Sequence, residues 1–294
     1  MIGALALLLA QFPAAQGAQG PALQLQDDEQ RSLELRGPAQ RIVSLAPGAT
    51  AMLFAAGAGD RVVGTSEYSN EPAAAAGIPR IGDAQSFDLE RILALHPDVV
   101  VVWSGGTSPT QLARLQGVGL RIYHHRLTGL DDIPSSLLRL GRLAGTQAQA
   151  QLAAAQFGQR IAALRSRYLQ AAPATVLIQV WDRPIYTVGR AEIMTDVIHA
   201  CGYRNVYEDL ADPGPAVTLE SVLARDPQII LALPPDQNAG RDWVAGWRAY
   251  PSLRAVRSGR VVPWTDQRLS RLGPSIVDAA EDLCRALRQP QPRS

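Results

Sequence analysis

The chain has 294 residues, 47% of them hydrophobic, which is enough for one large core or for two of ordinary domain size. Its 28 basic and 27 acidic side chains leave a net charge of +1, which excludes the basic footprint of a nucleic-acid binder. Aromatic residues make up only 5%, so each of the five tryptophans needs a reason to be where it is.

The chain opens MIGALALLLAQFPAAQGAQG, a short apolar stretch from Ile2 to Ala10 followed by small residues. That pattern predicts an export signal over residues 1–20, although no basic side chain precedes the stretch. A buried N-terminal helix is the alternative. The stretch is too short to span a bilayer comfortably, and nothing later resembles a membrane span. Residues 21–37 are expected to form an exposed start. A first lobe is predicted over 38–145. IVSL (42–45) is an apolar strand broken by Pro47-Gly48, and Thr50 is expected to cap the helix AMLFAAG. RVVGTS (61–66) is the next strand, followed by a polar loop holding Tyr68, Asn70 and Pro72. Asp88 is expected to cap a helix through Leu95 that stops at Pro97, and VVVVW (99–103) is a buried parallel strand. The loop SGGTSPT, the helix QLARLQ and the strand GLRIYHH follow. Alternating strands and helices predict an α/β lobe with a mainly parallel sheet.

LLRLGRLAGT is helical and ends near Gly145. Residues 146–170 then predict one long helix, read as a rigid link between lobes, with a surface helix of the first lobe as the alternative. A second lobe over 172–294 repeats the first. LESVLARDPQIILA (219–232) matches LERILALHPDVVVV (89–102), 130 positions earlier. TVLIQVW (175–181) parallels IVSL, MTDVIHACG (194–202) parallels AMLFAAG, and RNVY (204–207) parallels RVVG. A period this long points to two similar lobes with a cleft between them rather than to a solenoid. The two cysteines, Cys201 and Cys284, favour a single disulfide in an exported chain, with two buried thiols as the alternative. No GxSxG elbow, GxGxxG, Walker A loop or HExxH is present, so the chain is not expected to be an enzyme, and no metal site is expected. An exported signalling or enzymatic role stays open as an alternative class.

The segments RIVSLAPGATAMLFAAG (41–57), VVGTSEYSNEP (62–72), FDLERILALHPDVVVVW (87–103), IYTVG, HACGYRNVY and LESVLARDPQIIL together resemble the periplasmic substrate-binding proteins of ABC importers for vitamin B12, iron-siderophores and haem, and most of all the vitamin B12-binding members. The resemblance covers nearly the whole chain beyond the export signal. It implies two Rossmann-like lobes joined by a long rigid helix, little hinge closure, and a ligand in the cleft. It further implies a soluble, monomeric periplasmic protein without a cofactor of its own. The ligand would be cobalamin, with a ferric siderophore or haem as the alternative.

In open parallel sheets a ligand lies beyond the C-terminal strand ends, which is where Trp103 and Tyr68 fall in the first lobe and Trp181 and Tyr186 in the second. The resemblance makes Trp103 and Tyr68, with Asp266 and Arg271 from the loop TDQRLSRLGP, ligand contacts, and Trp181 with Tyr186 is expected, from its position, on the opposite wall; a solvated ion pair is the other reading for Asp266 and Arg271. By their position alone, Glu90 and Glu220 would be ordinary first-turn acids favoured by the helix dipole. The resemblance makes them the docking points, one per lobe, for the two subunits of an ABC permease dimer. Two aromatic residues of the vitamin B12 binders are missing: Ala84 stands at one place and Gly214-Pro215 at the other.

Overall fold

In the computed structural model the described residues are 22–83, 86–169 and 172–289. The predicted export signal and Ala84 lie outside them. The chain begins with an antiparallel hairpin, β1 (Leu23–Gln26) and β2 (Ser32–Leu35). Residues 21–37 are therefore not simply an exposed start. The alternation in LQLQ and SLEL turns Leu25, Leu33 and Leu35 inward onto the core.

The first lobe follows with β3 (Ile42–Ser44), α1 (Pro47–Ala55), β4 (Val62–Thr65), α2 (Leu89–Ala94), β5 (Val99–Trp103), α3 (Pro109–Gly117) and β6 (Ile122–His125). Its sheet is wholly parallel, in the order β4-β3-β5-β6. Thr50 does not cap α1. Pro47 supplies the first helical residue, where its missing N–H costs nothing, so the helix starts four residues earlier. The Thr50 hydroxyl instead donates back to the Ala46 carbonyl at 3.0 Å and lies 2.9 Å from Ser44 Oγ. Asp88 caps α2 as expected, accepting from the Arg91 amide.

Two helices then lead out of the lobe: α4 (Asp132–Ala144), closed by Gly145 at φ +71°, and α5 (Gln147–Tyr168). With 22 residues, α5 is about 33 Å long. It packs on α4 and α1 of the first lobe and on two helices of the second, and so joins the lobes as predicted.

The second lobe contains β7 (Thr175–Gln179), β8 (Ile185–Tyr186), α6 (Ile193–Ala200), β9 (Arg204–Asn205), β10 (Ala216–Val217), α7 (Leu219–Arg225), β11 (Ile229–Ala232), α8 (Gln237–Trp247), α9 (Arg254–Arg257), β12 (Val261–Pro263) and α10 (Ile276–Arg288). Its main sheet is parallel, in the order β9-β7-β11-β12. Replacing β7, β9, β11 and β12 by β3, β4, β5 and β6 gives the strand order of the first sheet. The internal repeat is thus a repeat of topology. It extends to backbone detail: His96 and Asp226, each just before the helix-stopping proline, both adopt positive φ, +45° and +41°.

One apolar core crosses the lobe boundary. It runs from Ile42 and Val101 of the first sheet, through Phe157, Ile161 and Leu164 of α5, to Ile178 and Leu231 of the second. Cys201 and Cys284 form the expected disulfide, tying the end of α6 to α10. Polar contacts also join the lobes. Asp196 on α6 accepts from the Leu130 amide at 2.8 Å, and Arg165 on α5 pairs with both Asp131 and Asp196. On the other side the loop 271–273 presses on the start of α1. A methyl group on Gly48 would lie 2.2 Å from the Arg271 carbonyl oxygen and 2.7 Å from that of Leu272. Only glycine permits this approach.

Candidate functional site

The loop after β4 carries Tyr68, and its shape is set by buried hydroxyls. Thr50 Oγ1 and Ser69 Oγ are 3.2 Å apart, the Ser66 and Ser69 hydroxyls 3.0 Å apart, and Arg80 donates to Thr65 Oγ1, to the Ser66 and Ser69 carbonyls and to Asn70. This network pins Tyr68 at φ +63° and leaves the residue 76% exposed. Such strain in a tyrosine persists only where surroundings impose it, a pattern that clusters at ligand sites.

Trp103, at the end of β5, is half-buried against the core. The loop behind it folds over the indole: a Cβ on Gly106 would meet the ring at 2.1 Å and one on Gly105 at 2.8 Å. The glycines of SGG therefore let backbone lie on the tryptophan face and fix the ring.

In the second lobe, Trp181 and Tyr186 close a short turn after β7. The Val180 amide donates to the Tyr186 carbonyl and the Tyr186 amide to the Trp181 carbonyl. Trp181 is 52% exposed, and its ring meets Trp243 of α8 edge-on, with centroids 6.4 Å apart. Trp243 was not singled out by sequence; its spacing to Trp247 in WVAGW was the available signal. Trp247 is buried, and its Nε1 donates to Gln179 Oε1 at 2.8 Å.

Asp266 and Arg271 do not pair directly with each other. Asp266 caps the 3-10 turn Gln267–Leu269, and both of its oxygens bond Arg268, which also reaches Asp282. The Arg268 guanidinium holds the Asp266 carboxyl below its ordinary range, against a smaller upward push from burial. Arg271 reaches instead across to Glu71 of the first lobe, three residues after Tyr68, with Nη1 3.6 Å from Oε2. The contact bridges the loops that follow β4 in the first lobe and β12 in the second.

A cavity of about 240 Å³ opens at the second-lobe strand ends among Val180, Met194, Leu233, Trp264, Asp266 and Leu269. Larger hollows, about 820 Å³ against the hairpin and about 740 Å³ along α6, contain none of the predicted ligand residues. Volume alone is a poor guide here. A better one is polar bookkeeping. Among the described residues, the buried side-chain atoms without a partner are Ser104 Oγ, Thr107 Oγ1, His125 Nε2, Thr187 Oγ1, Trp264 Nε1 and Ser275 Oγ. They sit at or just beyond the sheet strands' C-terminal ends, or in the connections that leave them. Unpaired buried polar groups are rare and ask for a partner. No group of acidic, histidine or cysteine side chains among the described residues is arranged to hold a metal ion.

Glu90 and Glu220 are both exposed, and each is the second residue of its helix, behind the caps Asp88 and Thr218. Its own amide and the Thr218 hydroxyl hold the Glu220 carboxyl below its ordinary range. The two helices lead into β5 and β11, strands that correspond between the lobes.

Residues 42–268 match the profile of the periplasmic binding protein family. The chain belongs to that family. It is accordingly a periplasmic binding protein rather than an enzyme, and the family implies a small-molecule cargo and an ABC permease as partner. A vitamin B12-binding protein of Vibrio cholerae serotype O1 is 35% identical over 251 residues, covering 85% of this chain and 90% of the relative. The crystal structure of the periplasmic vitamin B12-binding protein of Vibrio cholerae superimposes with a TM-score of 0.75 at 34% identity, covering 87% of this chain and 99% of that one. A periplasmic heme-binding protein from Roseiflexus aligns with a TM-score of 0.71 at 27% identity, over 85% and 98% of the two chains.

Proposed function

We propose that this protein captures cobalamin between its lobes and delivers it to an ABC importer. The observation that carries the reading is likeness along nearly the whole chain to a vitamin B12-binding protein, at 35% identity. The site geometry supports it. Exposed Tyr68 and Trp181 project from opposite lobes, and large rigid aromatic faces hold a flat cargo at little entropic cost. Tyr68, Trp103, Trp181, Tyr186 and Arg271 are the proposed cargo contacts. Asp266 acts through the Arg268 pair that holds its loop. Glu90 and Glu220, placed alike on corresponding helices, are the proposed contacts to the two subunits of the permease, and the binding protein works as a monomer.

A ferric siderophore or haem is the second reading. It draws on Gly214-Pro215, the pair that stands where the resemblance to vitamin B12 binders puts an aromatic residue, with open space around Gly214. Titration with cyanocobalamin, a ferric hydroxamate and hemin, followed by tryptophan fluorescence and visible absorption, decides between them. Micromolar or tighter binding of cyanocobalamin alone is expected. Hemin binding without cobalamin binding would reverse the order of the two. Charge reversal at both sites, Glu90→Arg with Glu220→Arg, is expected to abolish uptake in cells while leaving cargo affinity intact. Normal uptake by that double variant would refute the docking assignment.

A further inference from the structure

Glu71 and Arg271 come from different lobes and meet at 3.6 Å, each about one-third exposed. Among the described residues, neither side chain has another hydrogen bond or ion pair. The neighbouring charges are already committed within their own lobes: Arg80 to the loop 65–70, Asp266 to Arg268, and Arg268 to Asp282 as well. The backbone beside the pair is held firmly. Loop 271–273 abuts Gly48 at a distance only glycine allows, and the hydroxyl network fixes the segment that leads into Glu71. The two charges therefore face each other because the lobes place them there, and they are free to change partners without moving the backbone.

We propose that Glu71 is an interlobe counter-ion that cargo displaces. In the empty protein it occupies Arg271. Cargo settling between the lobes offers Arg271 an acceptor oxygen, and the Glu71 carboxylate turns to water. The assignment rests on Arg271 being a cargo contact, as proposed above. Its consequence is selectivity: a molecule that fills the cleft but brings no acceptor to Arg271 must leave the pair closed or strand the guanidinium. The pair also lowers the affinity for true cargo, because the competent state is only the fraction with Arg271 released. A partly exposed ion pair shifts such an equilibrium by roughly two- to fivefold.

The test is a binding cycle with cyanocobalamin on the wild type, Glu71→Gln, Arg271→Gln and the double variant. Glu71→Gln is expected to bind roughly two- to fivefold tighter, with the gap narrowing at high salt as the wild-type pair is screened. Arg271→Gln is expected to bind more weakly, and adding Glu71→Gln to it should change nothing further. Unchanged or weaker binding by Glu71→Gln overturns the proposal, as does a gain that persists without Arg271. If the wild type binds no cyanocobalamin, the cargo reading fails first. The same four proteins, unfolded with urea in the cargo-free state, then decide the pair: non-additive midpoints support it, and additive ones overturn it.

Discussion

Asp28, in the turn between β1 and β2, offers a sharp test of how the first lobe is held together. Its side chain is fully enclosed. It accepts from Tyr123 Oη, Ser136 Oγ and Arg139 Nε, each at 2.8 Å, and from the Arg126 amide, and His125 Nδ1 lies 2.7 Å away. Burial pushes its carboxyl up, but the hydrogen bonds and charges of His125 and Arg139 outweigh burial and hold it at about 2, against an ordinary 3.8. A carboxylate lowered by nearly two units contributes on the order of 2 kcal/mol. Because the folded value is the depressed one, that contribution is complete above the unfolded value near 4 and is lost as the pH falls through about 2. Asp28→Asn keeps the shape but removes the charge and turns an NH₂ donor toward a ring of donors. Breaking a buried pair in this way costs about 3–5 kcal/mol. Urea unfolding followed by circular dichroism at pH 7, 5 and 2 measures both effects. The variant should be several kcal/mol weaker at pH 7, and the wild type should lose about 2 kcal/mol more than the variant between pH 5 and pH 2. A variant within about 0.5 kcal/mol of the wild type at pH 7, the range of a neutral surface change, would refute the reasoning.

Three further outcomes follow from the packing. Gly48→Ala forces a Cβ against the Arg271 and Leu272 carbonyls, so the loop must retreat; a stability loss of about 1–3 kcal/mol and altered cargo affinity are expected, by thermal unfolding and titration. Gly106→Ala drives a methyl group into the Trp103 ring; weaker cargo binding is expected, together with a shifted tryptophan emission spectrum. Cys201→Ser with Cys284→Ser opens an 83-residue loop; roughly 4–5 kcal/mol is expected to be lost in the chain-entropy model, measured by chemical denaturation under non-reducing conditions.

The fold was legible because its signals were local and came twice. Leu-Glu, then Leu-Ala, proline and an apolar run marked corresponding helix–strand units, and both sheets carry the same strand order. The disulfide followed from having two cysteines in a chain read as exported. The hairpin at residues 23–35 was missed although its alternation was visible, because each strand has only four residues and the polar turn between them masked the pattern. Thr50 was misplaced because a proline can open a helix as well as close a strand. The ion pairs were beyond reach of the sequence. Asp266 selects Arg268 two residues on, and Arg271 selects Glu71 from 200 positions earlier, choices made by the tertiary path of two loops. Asp28 and its partners on β6 and α4 lie about 95 to 111 positions apart, so no window could bring them together.

The contact at Gly48 bears on how such a frame acquires new cargo. Where the lobes meet there, the meeting is of main chain on main chain. The aperture on that side is set by peptide geometry that substitutions away from the contact itself do not alter. Wall positions such as Gly214 can then change identity without widening or narrowing the gap. Chemistry at the walls and spacing between the walls become separate inheritances, and a descendant can revise the first while keeping the second.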